Sequence, residues 1–382
     1  MAIPKDFGFG EEETMVRDSV RKLLRERAPI ETVRTMVAGD HKRAYESEIP
    51  PADYDKELWH EMVELGLSAL WVPAETGGAG MKAVAAVSVL EELGRAALPS
   101  PLGATLSATA VLRACGEPAH PLLGEIAAGR SATLATSDAS GGWELERSDA
   151  TLGHRGTGWT LEGGASFVQD ARKAERFIVA AESEEGPALV VVEAGQAGVT
   201  IVPDRIVDLT RDQARLRFEN VKVADTDLLA APGSARDVMA RAMPAILTFL
   251  AADISGAAEW QLQTTTEYAK IRTQFNRPIG FFQAVKHPIV DMMVDIDRAR
   301  SLVYAAACAL DTHPDDAERL ARMAKAAASD AAGFCSGRSV QLHGGIGFTW
   351  ECDLHIYFKR QQHSRAAFGD GAYNRARLAE TH

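Results

Sequence analysis

The chain has 382 residues, which at roughly 150 residues per domain points to two or three domains and a core that needs no covalent staples. Apolar residues make up 46% and charged residues 25%, ordinary globular usage that excludes a disordered chain. A formal charge of −12 disfavours a general nucleic-acid binder, whose phosphate contacts need a basic face.

The longest apolar runs, such as Ala188 to Val192, fall well short of the roughly 20 residues of a membrane helix, so no span is expected. Met1 to Gly10 lacks a basic stretch followed by an apolar core and a cleavage site; a cytoplasmic location is therefore expected. Cys115, Cys308, Cys335 and Cys352 form no CxxC pair and read as buried reduced thiols rather than as a disulfide framework or zinc site.

The first third reads as helical. In Glu11 to Ala28, Val16, Val20, Leu23 and Leu24 share one helix face, and acidic residues crowd the first turn. Further helices are expected over Asp55 to Leu65, over Met81 to Leu93 with a stop at Gly94, and over Ala104 to Cys115. Between them, Leu70 to Pro73 runs into the glycine-rich Gly77 to Gly80, and Pro99, Pro101 and Gly103 mark a second break.

From Ser131 the texture changes to short β-branched and aromatic runs. Phe177 to Val179, Leu189 to Val192, Val199 to Val202 and the alternating Arg215 to Phe218 are expected strands. Gly141-Gly142, Gly156-Thr157-Gly158 and Gly163-Gly164 read as the turns between them. After Ala230 to Ser234 helical texture returns in Ala235 to Arg272, in a helix starting near Pro288, and in Ala317 to Leu342. The expected architecture is α+β and mainly α: a helical domain over 1–130, an antiparallel β domain over 131–229, and a four-helix-like bundle over 230–382.

Three segments could carry chemistry. Arg272 to Gln283 sets a guanidinium beside amide side chains in a turn, which suits an anionic ligand such as a pyrophosphate, or else a polar interhelical loop. Gln341 to Glu351 has glycines at 344, 345 and 347, which allow close backbone approach or simply end a helix; it is not a dinucleotide fingerprint. Phe368 to Asn374 holds Asp370 between glycines, as a turn residue or as a general base. No GxSxG or HExxH occurs, and the hydrolase and metallopeptidase readings fall away.

In this order the segments resemble the acyl-CoA dehydrogenase family over nearly the whole chain, with Leu58-Trp59, Gly66-Leu67, Val72-Pro73, Gly77 to Gly80 and Glu91 to Arg95 similar to its first helical domain. The resemblance implies FAD held without a Rossmann fold. Arg272, Gln274 and Phe275 would meet its pyrophosphate and adenosine side with Gln283 close by. Gln341, Gly344 and Gly345 would reach it across a subunit boundary. Thr136, Ser137, Phe167 and Gln169 would flank the flavin edge, with Ala372 and Asn374 contributing after the base.

The implied chemistry removes a proton from Cα of an acyl-CoA thioester and a hydride from Cβ. Asp370 aligns with the catalytic Glu of the family, one methylene shorter; the alternative seat on the long helix is Ile246. Gly369 stands where many relatives carry Tyr, and would enlarge the acyl cavity. These departures resemble a bacterial branch acting on bulky acyl groups, including steroid side chains and dicarboxylic or cyclic acids. Some of its members are α2β2 heterotetramers and others homotetramers, with electron-transfer flavoprotein as acceptor. A non-catalytic partner subunit and a flavoprotein performing elimination or oxygen chemistry are the competing readings.

Overall fold

The computed structural model describes residues 4, 6–39, 46, 52–145, 147–155 and 158–380. The N-terminal helices are α1 (Glu11–Arg27), α2 (Ile30–Ala38), α3 (Lys56–Glu64), α4 (Ala83–Arg95), α5 (Leu102–Cys115) and α6 (His120–Ala127). In α1 the expected stripe turns inward, with Val20 and Leu24 buried and Val16 and Leu23 packed against the same core. Asp55 caps α3, its carboxylate accepting from the N–H groups of Glu57 and Leu58 at 2.9 Å. The sequence reading had no counterpart for α2, whose few turns follow directly on Pro29.

Gly94 does not end α4. The helix runs on to Arg95 because Gly94 and Gly256 serve a close helix crossing: a Cβ on Gly94 would strike the Asp253 carbonyl, and one on Gly256 the Glu91 carbonyl. This contact presses α4 against α7 (Ala235–Ile271) and sets the backbone of Asp253 against Gly94. By length and composition α7 could cross a membrane, but 83% of its most apolar window is buried inside the fold, as suits a central core helix. Around it lie α8 (Gln283–Thr312), α9 (Pro314–His343), α10 (Leu354–Ala366) and α11 (Gly371–Glu380).

Between the helical parts, two four-stranded sheets face each other. One is ordered β1 (Ala132–Ala135), β4 (Arg176–Ala181), β5 (Ala188–Glu193), β8 (Leu228–Ala230). The other is ordered β2 (Ala150–Arg155), β3 (Gly158–Gln169), β7 (Gln213–Val223), β6 (Val199–Pro203). In β7 the expected alternation holds: Ala214, Leu216 and Phe218 are buried while Arg215 and Arg217 are exposed. The domain is not purely antiparallel, since β1 pairs with β4 in parallel. Nor do Gly163 and Gly164 make a turn. They lie inside β3 at a bulge, where Gly163 takes φ +97° against the Asp149 carbonyl. Gly156 and Thr157, expected in a turn, lie outside the described residues.

Candidate active site

A cavity of about 760 Å³, counting its open mouth, lies where α4, α5, α7 and α10 meet the ends of β1 and β3. Its walls are largely apolar, from Leu90, Leu134, Phe249, Leu250, Trp143, Phe167 and Phe368. Trp143 packs against Phe368 at 4.9 Å between ring centroids and against Phe167 at 6.1 Å. Phe167, Asp170 and Phe368 all hold positive φ, at 56°, 51° and 53°, so the lining concentrates backbone strain of a kind common at ligand sites.

The structure brings Thr136, Ser137, Phe167 and Gln169 together on this cavity. Both hydroxyl residues are 5% exposed, and neither Thr136 Oγ1 nor Ser137 Oγ has a protein partner among the described residues. The Gln169 amide is already engaged: it donates to the Phe167 carbonyl at 3.0 Å and to Gln213 Oε1 at 2.9 Å, while its Oε1 lies 2.7 Å from His363 Nε2. Burial holds the His363 imidazole below its ordinary range.

Asp370 lies two residues beyond Phe368 and does not line the cavity. Its Oδ1 accepts the Tyr373 N–H at 2.9 Å and caps α11. Neither its backbone N–H nor its Oδ2 has a partner among the described residues. Asn374 is fully buried, and its side-chain amide serves the Gly369 and Asp370 carbonyls at 3.0 Å; Ala372 is exposed. The space expected to open at Gly369 is filled, because a Cβ there would enter the Tyr373 ring. Ile246 is fully buried in the apolar core.

The remaining expected contacts stand apart. Arg272, Gln274, Phe275, Gln283, Gln341, Gly344 and Gly345 are all exposed and line none of the cavities around β3. Tyr268 draws their two segments close to one another, since its ring stacks on His343 at 4.2 Å. Phe275 is 86% exposed, and Arg272 has no side-chain partner among the described residues. A free guanidinium beside a bare aromatic face fits the phosphates and flat rings of a dinucleotide. The unpartnered Thr136 and Ser137 hydroxyls between aromatic walls fit the polar edge of a flavin.

Sequence reasoning missed an ionic cluster on the same cavity. Asp253, on α7, accepts from Arg211 at 2.7 Å and from Arg360 at 2.6 Å. Burial alone would raise its carboxyl, but the two guanidinium groups hold it below the usual range. The contributing residues are more than 40 positions apart in the chain (42 and 107), so no local motif announces them.

Models of the acyl-CoA dehydrogenase N-terminal and C-terminal domains match residues 10–120 and 248–382. Acyl-CoA dehydrogenase IpdE2 of Mycobacterium tuberculosis is 36% identical over 351 residues, covering 92% of this chain and 91% of that protein. The chain belongs to the acyl-CoA dehydrogenase family. Among solved structures, the ChsE4-ChsE5 complex from Mycobacterium tuberculosis superposes with a TM-score of 0.82 at 25% identity, covering 98% of each chain. The Tcur3481-Tcur3483 steroid ACAD superposes with a TM-score of 0.84 at 28% identity, covering 97% of each chain. The acyl-CoA dehydrogenase fold accounts for the helix, sheet and helix order, and FAD is the cofactor of this family.

Proposed function

We propose that the chain catalyses FAD-dependent α,β-desaturation of an acyl-CoA thioester, with Asp370 as the base. The observation that carries the assignment of the base is its pair of groups without a hydrogen-bond partner among the described residues: the Oδ2 lone pairs and the backbone N–H of Asp370, two residues beyond the cavity wall at Phe368. Oδ2 would take the Cα proton, and the N–H would donate to the thioester carbonyl as enolate-like charge develops there. Both groups sit at the N-terminus of α11, where the helix dipole favours negative charge. FAD, when bound, supplies the two-electron acceptor.

The protein's other tasks are binding and exclusion of water. Arg272, Gln274 and Phe275 would hold the pyrophosphate and adenosine side of FAD, with Gln283, Gln341, Gly344 and Gly345 completing that cradle in an oligomer. Thr136 and Ser137 would bond the flavin edge, and Trp143, Phe167 and Phe368 would keep the reacting carbons dry. Exposed Ile271, Phe275, Phe281, Met293, Val294 and Phe348 supply apolar surface for assembly as a homotetramer or an α2β2 heterotetramer. Electron-transfer flavoprotein in the cytoplasm is the proposed acceptor, and a bulky or cyclic acyl group the proposed substrate, by similarity to the steroid ACAD. The start of β1 at Ala132 and of α7 at Ala235 supports domain borders near 130 and 230.

The test is anaerobic titration of the flavin-loaded protein with straight-chain, branched, cyclic and steroid acyl-CoAs. Bleaching of the flavin with formation of the enoyl product is expected for at least one of them. Failure of every thioester to bleach it rejects the reading.

A further inference from the structure

Resting on that reading, we infer that Arg211 forms a subsite for an oxygen acceptor carried by the acyl group away from the thioester. Arg211 lies in the segment between β6 and β7, and its side chain is 12% exposed, facing the apolar cavity. Only Nη2 is engaged, donating to Asp253 Oδ1 at 2.7 Å; the Nε and Nη1 donors have no partner among the described residues. Asp253 cannot supply more, because its other oxygen is taken by Arg360 at 2.6 Å. A largely buried guanidinium with idle donors is costly unless something accepts from them.

The opening to those donors is built into the facing helix. Gly103 lies opposite, and a Cβ placed there would come within 3.9 Å of Arg211 Nη1. Any longer side chain at 103 would cover the guanidinium, whereas glycine leaves it open to the cavity. Leu90, Phe249 and Leu250 line the same cavity and cannot bond an oxygen, while the carboxylates of Asp170 and Asp208 act on Arg211 as charges without accepting a hydrogen bond from it among the described residues. The chemistry that completes the site is a carboxylate or a carbonyl at the far end of an otherwise apolar acyl group.

The experiment compares flavin-loaded wild type, Arg211→Met and Arg211→Lys on hexanoyl-CoA, adipoyl-CoA and the methyl-ketone analogue of hexanoyl-CoA. Binding of the matching non-oxidisable thioether analogues is measured by calorimetry as a second readout. In Arg211→Met, Asp253 keeps Arg360, so no lone buried carboxylate is created. Wild type is expected to favour one oxygen-bearing thioester over hexanoyl-CoA by roughly 10- to 100-fold in kcat/KM and in Kd. A preference for adipoyl-CoA identifies a carboxylate, and one for the ketone a carbonyl; Arg211→Met should abolish the ratio and Arg211→Lys restore part of it. Equal use of all three thioesters by wild type overturns the subsite while leaving the dehydrogenase intact. An unchanged ratio in Arg211→Met, or a loss confined to bound flavin, also overturns it. If no thioester reduces the flavin, the dehydrogenase reading falls and takes the subsite with it.

Discussion

Lys325 Nζ donates to the Gly369 carbonyl at 2.7 Å, tying the middle of α9 to the turn that carries Asp370. The same ammonium donates to the Arg365 carbonyl at 2.9 Å and to Ser329 Oγ at 3.1 Å, and the side chain is fully buried. The end of α10, the Asp370 turn and α9 are thus joined at one atom.

Replacing this lysine should loosen that turn and change the pH response of the fold. Burial pushes the Lys325 ammonium down to about 7, with the Asp370 carboxylate pulling the other way. An unfolded chain keeps a lysine protonated to about pH 10, so between these values the unfolded state binds more protons and wild-type stability rises with pH. Lys325→Met removes that group and leaves two carbonyls without their donor, at a cost of about 3 kcal/mol. Thermal melts should show the gap between wild type and variant widening from about pH 7 to about pH 10. A gap independent of pH would remove the buried ammonium from the account.

Asp370→Asn tests the base directly. Asn is as good a helix cap as Asp, so α11 should form and FAD should remain bound. Without a carboxylate to take the Cα proton, flavin bleaching by acyl-CoA should slow by at least about 100-fold. Asp370→Glu, which keeps the carboxylate, should retain turnover. Full activity in the Asn variant would transfer the role to another group.

Arg272→Ala should separate cofactor loading from folding. The side chain is exposed and unpartnered, so stability of the flavin-free protein should change by less than about 0.5 kcal/mol. Loss of a charge-assisted phosphate contact should weaken FAD binding by roughly 10- to 100-fold, read from the flavin-to-protein absorbance ratio after gel filtration. Wild-type flavin content in this variant would place the pyrophosphate elsewhere.

Glu144 clamps α11 from the loop before β2, bonding Arg377, Arg322 at 3.1 Å and the Tyr373 hydroxyl at 3.1 Å. Burial would raise its carboxyl, but Arg377 and Arg322 hold it below the usual range. Its contribution is therefore complete above the ordinary carboxylate pKa and is lost as pH falls through the lowered folded value. Glu144→Gln should cost about 2 kcal/mol at neutral pH, and urea melts of the two proteins should converge in acid. Parallel curves at every pH would disprove the clamp.

Much of the fold was legible because periodicity reports which face of an element is buried. The α1 stripe and the β7 alternation belong to this class. Glycine was the harder residue to read. Gly94 looked like a helix stop and Gly163-Gly164 like a turn, yet the first permits a helix crossing and the second a bulge inside a strand. In each case the reason for glycine is a backbone from elsewhere in the chain, invisible in the local pattern.

By itself the sequence determined the acidic character, the order of helices, sheets and helices, and the family, because composition, periodicity and consecutive motifs are properties of neighbouring residues. Only the tertiary structure decided that Asp370 caps α11 rather than lining the cavity, and that Gly369 is filled by the Tyr373 ring. It alone joined Arg211, Asp253 and Arg360, whose partners lie 42 and 107 positions apart. Such contacts depend on how whole elements pack, and packing sets distances that spacing along the chain does not encode.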